Sequence, residues 1–147
     1  MTVNPIQGKT KYWIGVASRD HVIKGVQGGF AQLCHGKKIP LKKMSTGDWL
    51  IYYSSKKSLK ENKPYQKFTA IGRVVDPNIY QVKINDDFMP YRRNIDFIHC
   101  KEVSIHPLIS ELSFIENERY WGYPFRFGHL EICAEDFKLI STQMKVT

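Results

Sequence analysis

Short apolar runs rich in aromatic and β-branched residues alternate along the chain with polar breaks carrying Gly, Pro, Asn or Asp. Runs of this length and composition read as strands, not helices. The densest is Trp49-Leu50-Ile51-Tyr52-Tyr53-Ser54, entered through the polar turn Ser45-Thr46-Gly47-Asp48. Gly47 supplies the backbone freedom of a tight turn, and Asp48 can bond the backbone that follows it. The stretch predicts a strand covered on both faces and central to a small barrel. A period of two sends Trp49, Ile51 and Tyr53 one way, and Leu50, Tyr52 and Ser54 the other. Trp49 and Ile51 are expected in the core, Tyr52 and Ser54 against a pocket.

The other elements follow in order. Tyr12-Trp13-Ile14-Gly15-Val16-Ala17 is a first buried strand, and Ser18 is placed to cap a short helix through Lys24 that Gly25 stops. Val26 to Gly36 is rich in turns, with one helical turn over Ala31–Cys34, and Ile39 to Met44 leads into the central strand. Ser55 to Lys67 is polar, lysine-rich and holds Pro64, which predicts an exposed loop and a candidate lid. Phe68 to Val75 is a strand ended by Asp76-Pro77-Asn78, and Gly72 within it marks a bulge or a close backbone approach. Ile79 to Ile84 is its hairpin partner. Tyr91 to Ser104 is a further strand with Ile95, Phe97 and Ile98 inward. Pro107 to Leu112 starts as a short helix. A late strand lies within Tyr120–Ile132, and Ala134-Glu135-Asp136-Phe137 opens a C-terminal helix with acidic residues in its first turn.

These elements add up to an α+β domain, a strand-rich barrel with short helices packed at its edges. Residues 1–11 read as a loose lead-in and 12–147 as a single domain, a length that can bury a proper core. No apolar run approaches the ~18 residues of a membrane span, and no signal-peptide pattern opens the chain. A soluble, cytoplasmic, monomeric protein is expected. Three cysteines, Cys34, Cys100 and Cys133, form no CxxC pair, which argues against a disulfide framework and a structural zinc site.

Charge sharpens this picture. The formal net charge is +8, yet residues 1–67 hold 13 Lys and Arg against 3 Asp and Glu, while residues 68–147 hold 9 against 11. A basic half beside aromatic strands fits a nucleic-acid footprint. Lys37, Lys38, Lys42, Lys43, Lys56 and Lys57 are the clusters expected to meet a phosphate backbone.

Catalytic and cofactor chemistry finds little support. No phosphate-binding glycine loop occurs, and Gly25-Val26-Gln27-Gly28 fits a KH-type clamp only formally, without the flanking helices. Cys34-His35 and His99-Cys100 are sequence neighbours, whose side chains seldom face each other as nucleophile and base. Together with His106 they offer no zinc spacing. No catalytic residue, metal or cofactor is expected. What remains is a set of aromatics, Trp13, Phe30, Tyr52, Tyr53, Trp121, Phe125 and Phe127, interleaved with Ser18, Gln32, His35, Ser54 and Arg126. Such a set fills a core, or in part forms a cage for a planar base, with Gln, Ser or backbone amides reading its polar edge.

Three stretches, Tyr12 to Val22, Gly28 to Lys37 and Gly47 to Ser54, together with Tyr123-Pro124-Phe125-Arg126-Phe127-Gly128-His129-Leu130-Glu131-Ile132, resemble the EVE domain, and more narrowly the bacterial UPF0310 group. The resemblance covers nearly all of residues 12–142. It implies a PUA-like bent β-barrel related to PUA, ASCH and YTH domains, and a binding module for DNA or RNA carrying a modified base. It places Trp13 and Ser18 at the pocket end of the first strand, and Phe30, Gln32 and His35 on the loop that closes over it. Tyr52 and Ser54 would form the wall, and Arg126 would come from the last strand. The sequence carries no three-tryptophan cage of the YTH kind, and the lysine-rich loop lies outside the shared motifs. Two rival functions stay open: an enzyme acting on a nucleotide or small heterocycle in the same pocket, and a small-molecule sensor or adaptor.

Overall fold

A computed structural model of the chain describes residues 9–145, so only the last three residues of the expected lead-in fall within it. Of these, Lys11 is tied to the fold: its N–H donates to Asp48 Oδ1 (3.1 Å) and its carbonyl accepts from Trp49 N (3.0 Å). The strands are β1 (Tyr12–Val16), β2 (Phe30–Ala31), β3 (Trp49–Ser54), β4 (Lys67–Gln81), β5 (Tyr91–Phe97), β6 (Val103–Ser104) and β7 (His129–Ile132). The helices are α1 (Arg19–Gly28), α2 (Lys38–Lys43) and α3 (Ala134–Met144), and short 3₁₀ turns fill much of the stretch between β6 and β7. All seven strands join one sheet in the order β2-β5-β4-β3-β1-β7, with β6 beside β4.

β3 lies inside this sheet, parallel to β1 and antiparallel to β4. Its two faces are both covered, as its unbroken apolar run requires. Ile51 and Tyr53 join one core with Ile14, Phe68, Phe125 and Ile140, while Leu50 and Tyr52 join a second with Trp13, Leu33, Leu41 and Ile95. The alternation expected along β3 holds. Each Leu or Ile shut away this completely contributes ~1.5–3 kcal/mol.

Several boundaries differ from the sequence expectation. α1 runs past Gly25 to Gly28 and ends at Gly29, whose φ of 73° makes the left-handed cap. Gly25 is instead a packing residue, since a Cβ there would lie 2.7 Å from the Phe30 carbonyl. The Gly25–Gly28 segment is thus the last turn of α1. α2 forms although it contains Pro40, because the proline sits in the first turn, where its missing N–H has no helical partner to lose. The carbonyls of Leu41 and Met44 at the end of α2 are met by Nη1 of the buried Arg93, at 2.7 and 2.5 Å.

β4 is one strand of 15 residues, not two. Asp76-Pro77-Asn78 breaks only its register with β5, between Val74 and Ile79, which is where a strand tolerates proline. Gly72 is the close approach: a Cβ there would stand 2.6 Å from Ile95 Cγ2 and 2.7 Å from the Asp96 carbonyl. The expected strand from Tyr91 to Ser104 is two, β5 and β6, with Ile98 exposed between them. The Pro107–Leu112 helix is a 3₁₀ turn over His106–Leu108. Trp49 is half-buried, with the Arg73 guanidinium 5.0 Å from its ring centre.

Candidate functional site

β2 and the loop after it carry Phe30, Gln32, Cys34 and His35 to one edge of the sheet. Cys34, His35 and Gly36 follow one another with φ of 50°, 62° and 85°, all left-handed. For the two non-glycine residues that conformation costs of order 1–3 kcal/mol each and persists only where the surroundings enforce it. Here the surroundings are explicit. The Gly36 carbonyl accepts from Tyr91 N at 2.9 Å, and a side chain at Gly36 would run into Pro90. From below, the Tyr52 hydroxyl accepts from Gln32 N and donates to the Gln32 carbonyl, both at 3.3 Å.

Beside this loop, β2 and β5 bring an aromatic ring, a guanidinium and an amide together. The Arg92 guanidinium from β5 lies 4.0 Å from the centre of the half-buried Phe30 ring, and its Nε donates to Gln32 Oε1 at 3.1 Å. A planar cation is thus stacked on the aromatic face and held by the amide. Gly28 permits the ring's position, because a Cβ there would come within 2.5 Å of Phe30 Cε2.

His21, on the first turn of α1, is half-buried, and burial lowers its pKa against the pull of Asp20; Lys24, Arg92 and His35 push it the same way. At neutral pH its ring is therefore uncharged and can both donate and accept. Further along the edge, Lys38 Nζ lies 5.6 Å from the Tyr91 ring centre, and the partly exposed Phe88 sits beside Gly36. Lys37, Lys38, Lys42 and Lys43 are all exposed on or beside α2.

The sequence-derived site residues divide between this face and the interior. Phe30 and Gln32 come together, with His35 exposed on the following loop; Arg92 joins them from β5, His21 on α1 lies near Arg92 and His35, and Phe88 sits beside Gly36. Trp13, Tyr52 and Ser54 lie inside instead. Trp13 donates its indole N–H to Asp48 Oδ2 at 2.9 Å and stacks on His129, Tyr52 supports the loop from behind, and Ser54 bonds Thr69 Oγ1 at 2.9 Å. Tyr52 thus supports the loop from behind, while Ser54 is held inside the fold against Thr69. Ser18 occupies the residue before α1, but its hydroxyl goes to Asp20 Oδ1 at 2.5 Å, not to a helix N–H. The helix is capped by backbone: Arg19 N and Asp20 N donate to the carbonyls of Lys56 and Lys57. The lysine-rich loop is thereby fastened to α1.

Two of the cavities formed by the described residues flank the sheet. The larger, 470 Å³, is mostly apolar and lies between α3 and the sheet, lined by Trp49, Ile71, Ile98, Cys100, Phe137 and Met144 among others. It takes in none of the expected site residues. The smaller, 340 Å³, sits at the carboxyl ends of β1 and β3 and is lined by Val16, Tyr53, Ser55, Gln66, Trp121, Phe125 and Arg126 among others. Arg126 therefore opens on this cavity, on the Tyr53 side of the sheet and not beside Tyr52.

The Cys34 thiol, on the loop of the candidate site, is not activated. Burial raises the Cys34 thiol, with Lys37 and Lys43 opposing it, so Cys34 is held in its unreactive form. Cys34, Cys100 and Cys133 are all unpaired thiols. Among the described residues, no group of three or more His, Cys, Asp or Glu side chains is placed to hold a metal, and no helix is long and apolar enough to cross a membrane.

A family model described as the EVE domain matches residues 11–143. The chain belongs to the EVE-domain family. A UPF0310 protein from Bacillus licheniformis is 62% identical over 127 residues, covering 86% of each chain. The Bacillus subtilis UPF0310 protein YdcG is 48% identical, covering 93% of this EVE domain's chain and 94% of its own. Among solved structures, the YTH domain of the Zygosaccharomyces rouxii MRB1 protein, in complex with N6-methyladenosine RNA, superposes with a TM-score of 0.61 at 14% identity, covering 100% of this chain and 93% of that one. A hypothetical protein from Leishmania major gives a TM-score of 0.57 at 12% identity, with coverages of 92% and 94%. At such identities the likeness concerns the fold. The EVE domain here has the PUA-like α+β architecture.

Proposed function

We propose that this EVE domain is a nucleic-acid-binding module that holds an unstacked, modified base against Phe30 and performs no chemistry of its own. The observation that carries the reading is the Phe30–Arg92–Gln32 stack. Arg92 already occupies the face of an aromatic ring with a flat, hydrogen-bonding group whose edge is read by an amide. A nucleobase makes the same two demands, a ring to stack on and polar partners at its edge. His21 stands near Arg92 and His35, and the exposed lysines of α2 offer charge to a phosphate backbone.

Two further facts support the reading. The solved YTH domain that shares the fold is in complex with a methylated RNA. The raised Cys34 thiol argues against a nucleophile on the same loop.

The test is a thermal-shift and calorimetric screen of single-stranded oligonucleotides, each carrying one modified base. A strand whose base is accepted raises the melting temperature of the wild type, through preferential binding to the folded state, and does so less for Phe30→Ala. Turnover of a nucleotide or heterocycle, or a ligand whose binding ignores Phe30, Gln32 and Arg92 variants, contradicts the proposal.

A further inference from the structure

The lysine-rich loop, fastened across the start of α1, builds a second group of charges that the base site does not use. Its centre is the half-buried Tyr65. The Lys67 Nζ lies 4.8 Å from the Tyr65 ring centre, the Lys57 Nζ 5.5 Å and the Arg19 guanidinium 5.8 Å. One carboxylate answers these three cations. Glu102 accepts from Arg19 Nε at 2.9 Å through both oxygens and takes the Tyr65 hydroxyl as a second donor. Burial works to raise the Glu102 pKa, but the hydrogen bonds from Arg19 and Tyr65 prevail and lower it, so it stays charged. Asp20, nearby on α1, has its Oδ1 engaged by Ser18 and by His21 N. These donors are neutral and leave Asp20 charged, so Arg19, Lys57 and Lys67 stand against the two carboxylates Glu102 and Asp20, and one positive charge is left over in this small region.

We infer that Arg19, Lys57 and Lys67, gathered round Tyr65, form a subsite for a backbone phosphate of the bound strand, and that Glu102 is the internal anion which this phosphate displaces from Arg19. The inference rests on the nucleic-acid reading above and deepens it. The backbone of α1 is not the phosphate binder, because Arg19 N and Asp20 N are already bonded to Lys56 and Lys57. Side chains must do the work. Arg19 commits only Nε to Glu102, and 35% of the side chain remains accessible, so its terminal amino groups can offer the paired donors that suit a phosphate. Arg19 and His21 are two residues apart on α1, about 200° round the helix axis. A strand with its base at Phe30 would therefore pass over the first turn of α1 to reach Tyr65. Beyond lies the 340 Å³ cavity, whose Ser55 and Gln66 wall is joined to Tyr65 through the Ser55 carbonyl.

The experiment uses a short abasic deoxyribose-phosphate oligomer, which has phosphates but no base, and a base-bearing strand of equal length. Binding is followed by NMR at the side-chain Nε–H signals of Arg19 and Arg92. The abasic oligomer is expected to shift Arg19. The variants Lys57→Gln, at an exposed site, and Lys67→Gln, at a half-buried one, should each weaken it and reduce the slope of log affinity against log salt by about 0.7. Glu102→Gln should bind several-fold more tightly. No shift at Arg19, or a Lys57→Gln/Lys67→Gln double variant with wild-type affinity and slope, overturns the subsite. A base-bearing strand that shifts Arg92 but leaves Arg19 unmoved overturns the subsite alone. An abasic oligomer that shifts Arg19, with no base-bearing strand shifting Arg92, supports the subsite and overturns the base site.

Discussion

The Tyr52 hydroxyl closes a two-way hydrogen bond with the backbone of Gln32, accepting from its N–H and donating to its carbonyl at 3.3 Å each. The central strand thereby holds the loop that presents Phe30 and Gln32. Tyr52→Phe removes the oxygen and leaves two buried backbone groups unpaired, an expected loss of about 1–3 kcal/mol in urea unfolding. Because the loop loses its support, ligand binding should weaken as well. Ser54→Ala breaks a buried bond to Thr69 and should lower stability by about 1 kcal/mol while binding stays near wild type. Equal binding losses in the two variants would show that Tyr52 supports the loop no more than Ser54 does.

Asp48 organises the entry to the same strand. It is buried and accepts from Trp13 Nε1 (2.9 Å), Ser45 N (2.8 Å) and Lys11 N (3.1 Å). Asp48→Ala should cost about 2–4 kcal/mol, since both the indole and the turn N–H lose their acceptor. Asp48→Asn keeps one of the two accepting oxygens and should cost less. Unfolding curves on the three proteins check the ranking, and an Asp48→Ala as stable as Asp48→Asn would sink it.

His129 predicts a dependence on pH. Burial, with a smaller push from Lys43, takes its pKa from 6.5 down to about 4, and its buried Nε2 has no partner among the described residues. Well above pH 6.5 the ring is neutral in folded and unfolded chains alike. As pH falls from 6.5 towards 4, the unfolded chain takes up a proton that the folded one refuses, so stability declines across that window and levels off below it. The loss is at most ~3 kcal/mol. His129→Phe keeps an aromatic ring on Trp13 and should flatten this part of the profile, leaving the smaller share due to His21. Unfolding free energies measured between pH 4 and 7 decide it; identical slopes in wild type and variant would contradict the account.

Local rules made part of this fold readable in the sequence. The turn chemistry of Gly47-Asp48 and the alternation along β3 assigned its residues to two faces correctly, and Ala134 with its acidic followers marked the start of α3. Proline misled at Pro77, because a register break absorbs a residue without an N–H, and α2, which takes Pro40 in its first turn, was not foreseen. The candidate site was legible only on its own loop. Phe30, Gln32 and His35 lie within one short stretch, but Arg92 is 60 residues from Gln32 and reaches it only through the pairing of β2 with β5. For Tyr52 and Ser54 the alternation was right, yet a strand covered on both faces does not announce which of its neighbours opens to ligand.

The central claim is that a base replaces or joins Arg92 on the ring of Phe30. The most direct measurement compares the affinities of a base-bearing strand and an abasic strand of equal length for wild type and Phe30→Ala. The wild type should prefer the base-bearing strand by about 1–3 kcal/mol, the worth of one stacked base. Phe30→Ala should lose that preference while keeping its affinity for the abasic strand. An undiminished preference in Phe30→Ala would contradict the account, and so would a wild type that does not distinguish the two strands.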